Sequence, residues 1–192
     1  MARFTREELE AFNGSTVDDL LGDPATQPLK LLFVGINPGL WTAAVNAHFA
    51  RRGNRFWPAL YQAGITSSLV DASDGMPPDA RDELVAKGVG ITNLVPIATA
   101  RADELTAEQL RDGGERLRRR VAELRPRVVA MLGLTAFRQA FGERKAPLGL
   151  QDELFEGSEL WLLPNPSGLN AHHTVDSLAD WYGRAAEAAG VV

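Results

Sequence analysis

The sequence predicts an α/β protein: a single three-layer domain with a mainly parallel sheet of about four strands flanked by helices. Three observations carry this. Continuous apolar runs rich in branched residues recur at residues 29–36, 89–95, 127–134 and 160–163, each bounded by turn signals. Such runs suit strands buried on both faces, as in a parallel sheet. Helix-like stretches separate them, which implies βαβ units. The chain has 192 residues with 45% apolar and 23% charged content, ordinary for one globular domain with a real core.

The elements follow in order. "TREE" at residues 5–8 reads as a capping box that opens a short helix, and "GDPATQP" as a loop. Residues 1–192 read as one domain, within which residues 1–28 are an N-terminal helical extension and loop. "LKLLFVGI" is the first strand. Residues 37–53 lack a clean period and read as a long loop, a type that is often functional. "NRFWPALYQAG" is a helix with Asn54 as N-cap and Gly64 as its stop. "SSLVDASDGMPPD" is a surface excursion and "ARDELVAKG" a short helix. "VGITNLV" is the second strand. Thr106 and Gln109 open a long helix that ends before Pro126. "RVVAMLGL" is the third strand, "TAFRQAFG" a helix, and "LWLL" the fourth strand. "TVDSLADWYGRAAEAAG" is a closing amphipathic helix.

Composition removes several function classes. Cysteine is absent, so disulfides, thiolate metal sites, iron–sulfur clusters and cysteine nucleophiles are excluded. No apolar run approaches the roughly 20 residues of a membrane span. A net charge of −5 argues against coating nucleic acid by charge alone, although a local basic face remains compatible with it. No G-x-G-x-x-G or G-x-x-x-x-G-K-[ST] appears, which weakens any reading as a free-nucleotide enzyme.

Two turns stand out. Asn37-Pro38-Gly39 follows the first strand and Asn165-Pro166-Ser167-Gly168 follows the fourth. Pro38 has no N–H and fixes its φ, and Gly39 allows positive φ. In an open parallel sheet the loops at the carboxyl ends of the strands share one edge, where ligands bind. Both turns are therefore expected to face one cleft. A carboxamide accepts and donates hydrogen bonds but takes no proton at neutral pH. Asn37 is thus suited to orient a water rather than to act as a strong base.

Three segments then carry a resemblance. "GINPGL" at Gly35–Leu40, "NRFW" at Asn54–Trp57 and "NPSGLN" at Asn165–Asn170 resemble, in order and spacing, the mismatch-specific uracil-DNA glycosylase family, which includes the thymine-DNA glycosylases. "YQAGIT", "GITNLV" and "LRDGGERL" agree with it, and the likeness runs from about Leu29 to Tyr182. It implies a uracil-DNA glycosylase-like fold and a monofunctional glycosylase of base excision repair. Such an enzyme flips uracil and related pyrimidines out of DNA and leaves an abasic site. By resemblance Asn37 is catalytic and sets the attacking water. Gly35, Ile36, Pro38, Gly39, Phe49 and Asn165 are the implied base pocket, with Phe49 stacking on the base, and Asn93 is a candidate for it. Pro166, Ser167, Gly168, Leu169 and Asn170 enter the minor groove, with Leu169 as the wedge.

The implied chemistry is coherent. A base must leave the stack before it is attacked, which costs a few kcal/mol. Aromatic stacking returns ~1–3 kcal/mol per base, and an apolar wedge fills the vacancy. Positive charge builds on the sugar and negative charge on the base, which backbone N–H groups can receive. Relatives in the wider superfamily carry an acid at the place of Asn37, so the resemblance implies a modest turnover.

Around these residues other readings stand side by side. Arg51, Arg52 and Arg55 lie next to the pocket and are phosphate candidates, as are His172 and His173 where some family members carry an arginine. Asn93 either satisfies local backbone or joins the pocket. Trp41 and Thr42 either line the pocket or pack within the loop. Arg116, Arg119 and Arg120 form a solvated helix face balanced by Glu115 and Glu123, or a phosphate track. No metal and no cofactor are expected. The expected partner is double-stranded DNA with G·U or related mismatches. The protein is expected to be a monomer without membrane association, cytoplasmic beside the chromosomal DNA. A mismatch- or lesion-binding module with weak or no catalysis is the alternative, because the amide replaces an acid.

Overall fold

Five strands form one sheet in the computed structural model, which describes residues 4–168 and 172–192. They are β1 (Leu31–Gly35), β2 (Val89–Asn93), β3 (Val128–Leu132), β4 (Gly149–Leu150) and β5 (Glu159–Leu163), in the order β2-β1-β3-β5-β4. β2, β1, β3 and β5 are parallel; β4 is a two-residue antiparallel edge on β5. The fourth strand of the sequence reading is thus β5. β4 is too short to leave a periodic signal.

The helices are α1 (Arg6–Glu10), α2 (Leu40–Val45), α3 (Phe56–Gln62), α4 (Pro78–Ala86), α5 (Ala107–Leu124), α6 (Leu134–Phe141) and α7 (Val175–Ala189). Alternate strand residues divide the core. Leu31, Phe33 and Ala130 meet α3, α4 and α7, whereas Leu32, Val34 and Met131 meet α5 and α6. That is the three-layer architecture. The capping boxes at Thr5 and Thr106 form as the sequence indicates. α3 starts one residue later than expected, yet Asn54 Oδ1 still accepts from Phe56 N at 2.9 Å.

Residues 37–53 are not a continuous loop. α2 occupies Leu40–Val45, with no side-chain cap at Gly39 and a left-handed Asn46 (φ 49°) at its end. Gly39 sits at φ −79°, so the first turn does not use a glycine's left-handed freedom. Two arginines of α5 turn inward. Arg116 donates to Asn93 O at 2.7 Å, and Arg120 to Asp19 Oδ2 at 2.6 Å. The reading of a uniformly solvated face is corrected there; Arg119 is exposed. No helix among the described residues is long and apolar enough to cross a membrane.

Candidate active site

The carboxyl ends of β1, β2, β3 and β5 face one cavity of about 340 Å³. Ile36, Asn37, Pro38 and Gly39 line it from the first turn, Phe49 and Arg51 from the following loop, Asn93 from the end of β2, and Asn165 and Ser167 from the second turn. Register explains part of this convergence, since Gly35 and Asn93 are partners across β1 and β2. Gly35 lies just behind the cavity. A methyl group there would fall 2.5 Å from Asn93 Oδ1 and 3.2 Å from Phe49 Cζ. Pro166, Gly168 and Arg52 do not line the cavity. Gly168 instead approaches Gly53, whose carbonyl would lie 3.1 Å from an added Cβ. Leu169 and Asn170 lie outside the described residues.

Asn37 is held by its amide. Nδ2 donates to Ile97 O at 3.0 Å and to Thr99 Oγ1 at 2.8 Å. Thr99 Oγ1 in turn donates to Arg101 O at 2.7 Å. The carbonyl of Ile97 accepts only, so the group facing it must be the NH₂. Both amide hydrogens are therefore used, and Oδ1 is the acceptor that Asn37 offers to the cavity it lines. The backbone locks the same geometry: Thr99 N donates to Pro38 O at 3.2 Å, Leu94 N to Gly35 O and Val95 N to Ile36 O. A strand-end turn whose only polar side chain is an oriented acceptor fits the family resemblance. The model of the Uracil DNA glycosylase superfamily matches residues 23–186.

The chain belongs to the uracil-DNA glycosylase superfamily.

Membership in this superfamily implies DNA glycosylase activity, a hydrolysis carried out on DNA. Against that background the remaining site residues take definite places. Phe49 has a left-handed backbone (φ 54°), a conformation that costs a non-glycine residue energy. Its ring stacks on Phe56 with centroids 4.0 Å apart and planes 24° apart. Asn165 Oδ1 accepts from Ser167 N at 2.9 Å, which tightens the second turn. Tyr182 O–H anchors that turn's entry by donating to Pro164 O at 2.9 Å.

Arg55 departs from its expected phosphate role. Its guanidinium donates to the carbonyls of Ser167 and His173, and its backbone N–H to Pro166 O. It joins the start of α3 to the second turn. His173 Nδ1 lies 2.8 Å from Ser177 Oγ; His172 and Arg51 and Arg52 are exposed. Trp41 donates to Ser73 O at 2.9 Å and packs against Phe4, away from the cavity, whereas Thr42 lines it.

Sequence reasoning missed Thr99, Ile97 and His48. Thr99 sits in an apolar "PIATA" stretch with nothing to mark it, and Ile97 acts through its carbonyl. His48 had one signal, its place beside Phe49. It is 4% exposed and also lines the cavity. Nε2 lies 3.0 Å from Asp18 O and must donate there, so Nδ1 is the acceptor and faces Asn93 Nδ2 at 3.5 Å. Burial pushes the imidazole down to about 4, against smaller opposing pulls from Asp19 and Asp18.

A pH dependence follows with a definite sign. The unfolded histidine protonates near its ordinary pKa of about 6.5, the folded one only near 4. The native state therefore binds fewer protons in between, and stability falls as pH drops from about 6.5 to about 4, by up to ~3 kcal/mol from this group. Denaturant titrations of the wild type and His48→Gln across that window should show the wild type losing stability more steeply. Parallel curves would refute the neutral buried imidazole.

Proposed function

We propose that this protein is a monofunctional, mismatch-specific uracil-DNA glycosylase of base excision repair, acting as a monomer on G·U and related mismatches, its single catalytic domain spanning residues 1–192. The observation that carries the reading is the clamped carboxamide of Asn37, with Nδ2 committed to Ile97 and Thr99 and Oδ1 as the acceptor. In this mechanism Oδ1 accepts a hydrogen bond from a water and sets it beneath C1′. The C1′–N bond breaks as positive charge spreads over the sugar. Water oxygen bonds C1′, and its proton ends on the departing base. Uracil leaves as a tolerable anion, which relieves the need for a strong base.

Phe49 offers the ring face opposite Phe56 to the flipped base, and the stack beneath it keeps that ring rigid. Arg51 and Arg52 hold phosphates beside the cavity. If so, neutralising either one weakens binding to all duplexes and lowers the slope of log K against log salt by about 1. Unchanged slopes in both Arg51→Ala and Arg52→Ala would move the phosphate grip elsewhere. Leu169 acts as the wedge. Leu169→Ala should slow excision most from A·U, less from G·U and least from single strands, where no vacancy needs filling. Equal slowing on all three substrates would end the wedge assignment.

The proposal is tested by single-turnover incubation with a G·U duplex in the presence of a strong chelator. Release of free uracil with an abasic strand is expected. Mismatch-selective binding without release would favour the lesion-binding alternative, which rests on the same proton-inert amide.

A further inference from the structure

We infer that the segment Gly14–Leu20, N-terminal to the residues matched by the superfamily, is a positioning element of the active site that holds the Asn37 clamp in place. The inference rests on the role of Asn37 proposed above. β2 is an edge strand, and its outer side needs a partner. The segment supplies one. Leu20 exchanges both backbone bonds with Ile91, at 2.9 and 2.8 Å, and Thr16 bridges Ile97 in the antiparallel sense.

The contact reaches the stretch that holds the carboxamide. Ala98 N donates to Ser15 O at 2.7 Å, and Gly14 N donates to Ala98 O at 2.9 Å. In extended chain successive peptide groups point to opposite sides. The Ala98 groups therefore face the segment, while Ile97 O, Thr99 N and Thr99 Oγ1 face Pro38 and Asn37. The clamp is one strand thick, and the segment is its backing.

The segment is itself pinned at its far end. Asp18 N donates to Asn46 Oδ1 at 2.9 Å and Asn46 Nδ2 returns a bond to Asp18 Oδ2 at 2.8 Å. Asp18 O accepts from His48 of the cavity wall. Asp19 accepts from Thr92 Oγ1 at 2.6 Å and from Arg120, an ion pair that ties the segment to α5. These bonds join the loop after β1, the end of β2 and α5 through seven residues that contribute no group to the cavity.

Gly14→Pro tests the inference. Gly14 lies at φ 82° with open space around it, and proline has neither that φ nor the N–H that bonds Ala98. The readouts are the excision rate from G·U duplex at saturating enzyme and the affinity for the same duplex carrying non-cleavable 2′-fluoro-deoxyuridine. A loosened clamp should slow excision about threefold or more with the affinity unchanged to within about threefold. Slowing below that, or an affinity loss beyond that, overturns the inference, since a merely structural support would weaken the DNA surface as well. Should Gly14→Pro not fold, Asn46→Gly keeps the left-handed backbone, removes both Asp18 bonds and is judged by the same two readouts. Asn37→Ala run alongside separates the failures. Wild-type excision by that variant topples the role of Asn37 and the inference together, whereas a slow Asn37→Ala beside a fast Gly14→Pro topples the inference alone.

Discussion

Asn37→Ala should slow single-turnover excision of uracil from a G·U duplex by about a thousandfold, roughly 4 kcal/mol of transition-state stabilisation, while affinity for the duplex changes little. The magnitude follows from what the side chain does. It contributes one oriented acceptor, held by two hydrogen bonds before substrate arrives, so little reorganisation remains for the reaction itself. Alanine removes both the acceptor and the order of the water. The substitution should also leave the fold intact, because Asn37 is only half-buried and lies at a turn. Rates within tenfold of the wild type from the folded variant would remove Asn37 from the centre of the mechanism. The clamp also alters the expectation for Asn37→Asp. A carboxylate accepts more strongly, yet it has no hydrogen to give Ile97 O, and one of its oxygens would face that carbonyl at about the present 3.0 Å. Asn37→Asp is therefore expected to remain below the wild type at neutral pH.

Gly35→Ala should cost about a hundredfold in the same assay. The added methyl falls 2.5 Å from Asn93 Oδ1 and 3.2 Å from Phe49 Cζ. Neither neighbour has room to yield. Asn93 is buried, its backbone is fixed by strand register and by Arg116, and its amide faces His48. Phe49 backs onto Phe56. The strain thus passes into the two side chains proposed to hold the base. Overpacking of this kind also lowers stability by about 1–3 kcal/mol. Thermal melts should show that loss, and single-turnover rates should show the larger catalytic one. Excision within twofold of the wild type would mean that the base does not sit against Asn93 and Phe49.

Much of this was legible in the chain because the signals are local. Buried parallel strands write themselves as continuous apolar runs, and an Asn-Pro dipeptide marks the end of a strand whatever follows. Hence β1, β2, β3 and β5 and both turns could be read directly. What escaped depends on contacts between distant segments. α2 has six residues and no capping side chain, so its helical bonds leave no pattern to find. Arg55 reads as a surface cation beside a pocket; only the folded chain brings the Ser167 and His173 carbonyls to its guanidinium. Arg116 and Arg120 look solvated on a helical wheel until Asn93 and Asp19 approach from other elements. The clamp on Asn37 is the plainest case. Its partners lie 60 and 62 residues away, and one of them is a backbone carbonyl that no residue type can announce.

The most direct test is a crystal structure of the protein bound to a G·U duplex carrying 2′-fluoro-deoxyuridine, which resists cleavage. The account predicts uracil turned out into the cavity beside Phe49 and Asn93, with a water hydrogen-bonded to Asn37 Oδ1 and placed beneath C1′. A uracil still stacked in the duplex, or a water approaching C1′ from another side chain while Asn37 stands apart, would contradict it.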